Sequence, residues 1–168
     1  MTEEFQDEGG QIFRDATTLM KHIALKTDLH SRIGEIESSF IDKPCTVIWR
    51  DGVWRTGVTP LYWACATGQT EAAIQLINAG ADVNALNTRG DGEKLSSLYR
   101  AAKLGNDQVV KALLDNGADH KIGDACPLKY AKNENIRNII IHQLRMDPWN
   151  PGATSSLLSK DLHSAQPW

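Results

Sequence analysis

Between Ala16 and Phe40 apolar residues recur as Leu19, Ile23, Leu29, Ile33, Ile36 and Phe40. Spacings of three, four and six predict two helices broken near Lys26 to Asp28. Pro44 closes that pattern, and TVIWRDGVWRTG follows, two runs rich in Val, Ile and Trp on either side of Asp51-Gly52. Asp-Gly tolerates the positive φ angles of a tight turn, so a β-hairpin is expected there. The next stretch, TGVTPLYWACATGQTEAAIQLINAGADVNAL at residues 56 to 86, reads as two short helices and a turn with one apolar face too exposed to stand alone. Past Leu144, Pro148, Pro151 and Gly152 forbid a continued helix. Residues 146–168 are therefore expected to be a tail in which Leu157, Leu158 and Leu162 form at most a short docked turn. At the other end, Glu3, Glu4, Asp7, Glu8 and Asp15 stand against Arg14 alone, so residues 1–15 are expected to be a disordered acidic tail.

The helix-turn-helix stretch is repeated. Aligning Leu61-Tyr62 with Leu98-Tyr99 lays ATGQTEAAIQLINAGAD on KLGNDQVVKALLDNGAD at a period of 37, matching Gly68 with Gly105, Leu76 with Leu113, Gly80 with Gly117 and Asp82 with Asp119. A weaker third copy starts at CPLKYA, where Pro127, Leu128 and Ala131 fall on Pro60, Leu61 and Ala64. TPLYWA resembles the T-P-L-H-x-A signature of ankyrin repeats, and NAGADVNA and NGAD resemble that family's helix-exit sequence. The resemblance covers residues 54 to 144 and fails upstream of Cys45. Against the family period of about 33 residues, the second copy is longer, with the extra residues placed at Asp91 to Lys94. The third is short, and HKIGDAC is too brief for a full hairpin finger.

The motifs have physical reasons of their own. Thr59 is suited to cap a helix, and Pro60 to occupy its first position, where a missing N–H costs nothing. Gly68 and Gly105 suit the reversal between paired helices, and Gly80 and Gly117 the left-handed exit from the second helix. Ala64, Cys65, Ala101 and Ala102 are small where units approach closely. Leu61, Leu76, Ile77, Leu98, Leu113 and Leu114 are then core between repeats. Three features depart from the family pattern. Tyr62, Tyr99 and Lys129 stand where it has His; Ser96-Ser97 replace Thr-Pro, so the second copy's first helix should start less sharply; and Asn135 stands where Gly is expected.

The expected fold is thus an all-α ankyrin-repeat α-solenoid of helix-turn-helix units with β-hairpin fingers. A helical cap at 16–44 precedes repeats at about 54–86, 87–123 and 124–145. Three short repeats are close to the minimum for independent stability, which makes the cap structural.

Composition alters this little. Apolar residues at 41%, charged residues at 23% and a net charge of −3 are ordinary for a globular domain, and a pI near 5.9 argues against a nucleic-acid partner. No stretch approaches a membrane span, and the acidic start lacks the apolar run of a signal peptide. Cys45, Cys65 and Cys126 are odd in number and widely spaced, which favours a reducing, intracellular compartment over a disulfide framework. GDGEK offers only Asp91 and Glu93 to a calcium ion, without ligands at further alternate positions, and no metal or cofactor is expected. An enzyme would have to pair Cys65 or Cys126 with His22, His30, His120, His142 or His163. Both cysteines have structural reasons to be where they are, and none of the common catalytic motifs is present.

The resemblance implies a non-catalytic, monomeric module that binds a protein partner through finger tips and the first-helix face. These map onto Trp54, Arg55, Thr56, Val58, Ala66, Thr67, Arg89, Leu95, Lys103 and Leu104, with Trp54, Arg55, Arg89 and Lys103 as the principal anchors. The alternative use is as a bacterial effector, or a fragment of a larger protein, whose ankyrin unit does the targeting. Of Trp49 and Trp54, either one packs on the N-terminal helices or both serve the finger tip as contacts. Asn84 resembles the residue that asparaginyl hydroxylases modify in this family, and its ordinary role is to hold the turn between units.

Overall fold

A computed structural model describes residues 4–8, 10–26, 40–49 and 52–146. The second helix expected between 16 and 40 and the tail from 147 onward lie outside the described residues.

Hairpins alternate with helix pairs. Strands β1 (Glu4–Gln6) and β2 (Ile12–Arg14) lead to helix α1 (Thr18–Ala24). Then come β3 (Cys45–Ile48) and β4 (Trp54–Val58) with the pair α2 (Pro60–Thr67) and α3 (Thr70–Asn78). Next are β5 (Leu86–Arg89) and β6 (Lys94–Ser96) with α4 (Ser97–Leu104) and α5 (Asp107–Asp115), and α6 (Glu134–Met146) ends the series. The first helices α2 and α4 pack side by side, as do the second helices α3 and α5, and α6 packs on α5. Between them lie Leu61, Ala64, Leu76, Leu98, Ala101, Ala102 and Leu113, all at 0% exposure, so each unit does cover the apolar face of the next.

The signals that start and stop these helices act as the sequence implies. Thr59 Oγ1 accepts from Tyr62 N at 3.2 Å with Pro60 beside it, and Gly68 and Gly105 terminate α2 and α4 with φ of 74° and 93°. The expected weak start of α4 is not found. Ser96 Oγ accepts from Tyr99 N at the same 3.2 Å, because the cap needs only an extended backbone and a hydroxyl, and Ser96 supplies both.

Two expectations are corrected. The protein is not all-α, because the fingers join into one six-stranded antiparallel sheet in sequential order β1 to β6. The link between fingers is β4 against β5, with Arg55 opposite Arg89 and Thr56 opposite Thr88. The residues Asp91 to Lys94 lie in the tip and return strand of the second finger, between β5 and β6. Both fingers turn alike: Gly52 N donates to Trp49 O and Gly92 N to Arg89 O, each at 2.8 Å, with φ of 75° and 90° at the glycines.

Residues 1–15 are not simply a tail, since β1 and β2 form a hairpin that extends the sheet, β2 pairing with β3 through Phe13 opposite Val47. Phe13 is fully buried and meets the Trp63 ring edge-on at 4.8 Å between centroids, with Phe5 stacked on it at 4.6 Å. The acidic residues that suggest disorder flank this apolar pair, and Glu4 is spent on Arg14 across the hairpin. Helix α1, capped by Thr17, buries Leu19, Met20 and Ile23 and packs on α2.

The third copy is reduced. Residues 127–130 form a turn where a first helix would stand, and Lys132 N donates to Ala102 O at 3.0 Å. Its short connection docks on the free edge of β6, Lys94 N donating to Asp124 Oδ2 at 2.7 Å and Asp124 N to Lys94 O at 2.8 Å. A Cβ at Gly123 would lie 2.8 Å from Lys94 O, so this close approach requires glycine.

Candidate binding surface

Along the first helices and the strands next to them, aromatic rings alternate with cations. Trp49, half-buried, lies 5.3 Å from the core Trp63, with the Arg55 guanidinium 4.9 Å and that of Arg100 5.7 Å from its centroid. Arg100 Nε donates to Tyr62 Oη at 2.6 Å. One turn further along α4, Lys103 Nζ donates to Tyr99 Oη at 3.0 Å and also stands 5.7 Å from the ring of Tyr130, itself edge-on to Tyr99 at 5.3 Å. Lys129 Nζ approaches Tyr130 as well, at 5.8 Å. At the sheet end Arg14 stacks 4.6 Å over Trp54. Each is a cation–π contact, with the charge over the electron-rich face of a ring.

The tyrosines in the family's His position explain the arrangement. Their hydroxyls receive hydrogen bonds from basic residues of α4, and Tyr62 thereby links its own repeat to the next, 38 positions along. The turns are tied separately. Asn84 Nδ2 donates to Gly117 O at 3.1 Å and its Oδ1 accepts from Asp119 N at 2.8 Å. Asp82 N donates to Asp42 Oδ1 at 2.9 Å, so Asp42 ties the turn upstream to that of the first repeat.

Of the residues predicted from sequence, Trp54, Thr56, Lys103 and Leu104 are exposed, and Ala66, Thr67 and Arg89 are half-buried. Thr67 Oγ1 donates to Trp63 O, and Arg89 is occupied with Asp91 and Glu93 at 3.4 Å each. Val58 and Leu95, at 0% and 3% exposure, belong to the core because the strand pleat turns them inward, so they are not contact residues. Arg55 is also buried, its guanidinium laid over Trp49. Trp54 stays 42% exposed while Trp49 packs on the first repeat's own Trp63. Trp49, Tyr62, Arg100, Lys129 and Tyr130 were not predicted. Their signal is an aromatic or basic residue at corresponding positions of successive copies, visible only once the copies are stacked.

Cys45 and Cys65 are poor nucleophiles. Burial pushes the Cys65 thiol up to about 12, and burial together with the Asp15 carboxylate does the same to Cys45, while Cys126 is exposed. Among the described residues no cluster of three His, Cys, Asp or Glu side chains converges on a point, and no helix is long and apolar enough to cross a membrane.

Helix pairs stacked in series and joined by hairpins define a solenoid repeat protein. Comparison identifies which kind. Residues 35–124 match the model for ankyrin repeats in three copies, and the chain belongs to the ankyrin-repeat family. The match begins ahead of Cys45, where the sequence reading ends the resemblance; Asp42, bonded to the turn at Asp82, is part of that extension. The chain is 37% identical over 97 residues to the E3 ubiquitin-protein ligase hecd-1 of Caenorhabditis elegans, covering 58% of this chain and 3% of that protein. It is 35% identical over 96 residues to the putative E3 ubiquitin-protein ligase XBAT35 of Arabidopsis thaliana, covering 55% of this chain and 20% of that one. A putative ankyrin repeat-containing protein of Treponema pallidum (strain Nichols) is 35% identical over 88 residues, 52% of this chain and 28% of its own. The chain therefore spans well under a third of these curated relatives. Among solved structures, the ankyrin repeat domain of Bcl-3, described as a unique member of the IkappaB protein family, superposes with a TM-score of 0.57 at 21% identity, over 75% of this chain and 51% of that one. That likeness concerns the fold.

Proposed function

We propose that this chain is a non-catalytic protein-interaction module, an adaptor, scaffold or inhibitor that docks a protein partner across the finger tips and the first-helix face. The observation that carries the reading is the series of rings and cations from Trp54 through Trp49, Tyr62 and Tyr99 to Tyr130, in which the buried Tyr62 and Tyr99 hold the cations from beneath while Trp54 and Tyr130 are exposed. Tryptophan, tyrosine and arginine are the residue types that most often anchor interfaces, since each combines large contact area with directed donors. Their mutual stacking fixes rotamers in advance, so a partner meets a surface whose ordering entropy folding has already removed. Residues 16–44 close the end of the stack in this reading, and the module acts as a monomer in a reducing, intracellular compartment, where Cys45 and Cys65 remain thiols.

The test is a pull-down from lysate with the wild-type chain and the triple variant Trp54→Ala, Arg89→Ala, Lys103→Ala. Loss of one or more specific partners by the variant is expected, and recovery of every partner at equal yield refutes the assignment of this face. The relatives carry their matching segments within much longer chains. That favours, as a second reading, a targeting segment that serves an activity located elsewhere in a larger protein.

A further inference from the structure

The charge on the first-helix face is segregated. The three segments that line it, residues 60–67, 97–104 and 127–132, contain Arg100, Lys103, Lys129 and Lys132 and no Asp or Glu, in a chain whose net charge is −3. Three arginines elsewhere are paired with acids, Arg14 with Glu4, Arg89 with Asp91 and Glu93, and Arg137 with Glu134. Among the described residues Arg100 and Lys103 have no carboxylate within ion-pair distance; their partners are the tyrosine hydroxyls and ring faces. Two ammonium groups, Lys103 and Lys129, share the one ring of Tyr130, which is 43% exposed. Cations gathered with no anion among them repel one another, and a carboxylate brought to that spot relieves the repulsion of both. Next to Lys103 in the chain, Leu104 leaves about two-fifths of its surface in water, at 41% exposure.

Resting on the reading above, we propose that the partner engages this face through an acidic segment with interleaved apolar residues. Its carboxylates meet Arg100, Lys103 and Lys129, and its apolar side chains cover Tyr130 and Leu104. The surface favours a peptide over a nucleic-acid backbone, because Leu104 and the exposed ring of Tyr130 offer apolar cover beside the cations, and a net negative chain repels a polyanion at longer range.

The test is fluorescence anisotropy with the full chain and a fluorescein-labelled peptide rich in Glu and Leu. The same peptide with Gln for every Glu, and an oligothymidylate, serve as comparisons. The Glu peptide is expected to bind, to weaken as salt rises from about 0.03 M to about 0.3 M, and to lose roughly tenfold or more in affinity with the pair Lys103→Glu, Lys129→Glu. Both lysines are exposed, and melting curves by circular dichroism check that the pair folds. Charge reversal at Lys111, exposed on the outer helix α5, is expected to leave the affinity within about twofold. Equal binding of the Gln peptide, tighter binding of the oligothymidylate, or indifference to the lysine pair overturns the proposal. If the lysate partners are lost with Trp54→Ala, Arg89→Ala and Lys103→Ala while the Glu peptide fails to bind, this face binds protein and the acidic assignment alone is wrong. If both experiments are negative, the reading of the face falls with it.

Discussion

Phe13→Ala tests whether the N-terminal hairpin is structural. Its ring is fully buried, stacked on Phe5 at 4.6 Å and edge-on to Trp63 at 4.8 Å, and Trp63 in turn supports Trp49 at 5.3 Å. Truncating a buried phenylalanine costs about 3–5 kcal/mol through lost transfer energy and the cavity left behind. For a domain of this size each kcal/mol moves the midpoint by roughly 2–4 °C, so Tm should fall by about 10 °C. Urea denaturation followed by far-ultraviolet circular dichroism gives the free energy directly, and an unchanged m value shows that the same surface is exposed on unfolding. Phe5→Ala, at a half-buried ring on the edge strand, should cost only the stacked pair and a part of its burial, about 1 kcal/mol. Removal of residues 1–15 should destabilise at least as much as Phe13→Ala, because it also strips the edge pairing of β2 on β3. A Phe13→Ala variant within about 0.5 kcal/mol of wild type, the ordinary range for a surface substitution, refutes the argument and returns these residues to the status of a tail.

Asn84→Ala removes both side-chain links to the turn at Gly117 and Asp119 and should cost about 1–2 kcal/mol in the same assay; no measurable loss would mean that water replaces both bonds. Gly123→Ala forces a Cβ against Lys94 O at a residue with φ of 82° and should destabilise by about 1–3 kcal/mol, read as a fall in Tm. Native protein treated with a thiol reagent near neutral pH should be labelled at Cys126 only, with Cys45 and Cys65 labelled after unfolding, as peptide mass spectrometry would show. The same two thiols make stability depend on alkaline pH: they stay protonated in the fold up to about 12 but ionise near 9.0 once unfolded. The unfolded state then holds fewer protons, and stability should fall between those values, by an amount that Cys45→Ala with Cys65→Ala reduces.

How far the sequence could be read depended on how local each signal was. The helix pairs were legible because cap, proline and glycine act within one turn of the residues that they control: Thr59 with Tyr62, and Gly68 with Ala64. At α4 the proline is missing but the hydroxyl of Ser96 suffices for a sharp start. The hairpin at residues 1–15 was missed because its strands are three residues long, too short for alternation to register, and because its acidic flanks outweighed Phe5 and Phe13 in composition. The sheet was missed for a different reason. Pairing of β4 with β5 joins two fingers about 34 residues apart, and no pattern within either finger specifies its neighbour. Val58 and Leu95 were misassigned by the same omission, since whether a finger residue faces water or core depends on the pleat of a sheet not yet in view.

Tyr62 and Tyr99 read singly as departures from the family's histidine, and what the departure accomplishes needs Arg100 from the next helix and Lys103 one turn on. A tyrosine is long enough to place its hydroxyl at a neighbouring helix, and it offers a ring face on which a cation can rest. The tyrosines then hold Arg100 and Lys103 without using carboxylates to do so, and their charge stays available. Had the same residues been fixed by Asp or Glu, as Arg89 is by Asp91 and Glu93, the repeats would be tied as well but the face would be electrically neutral. Tyrosine in this position thus joins two tasks in one side chain, coupling adjacent units and presenting uncompensated positive charge, and a Tyr62→Phe substitution separates them by removing the bond to Arg100 while keeping the ring.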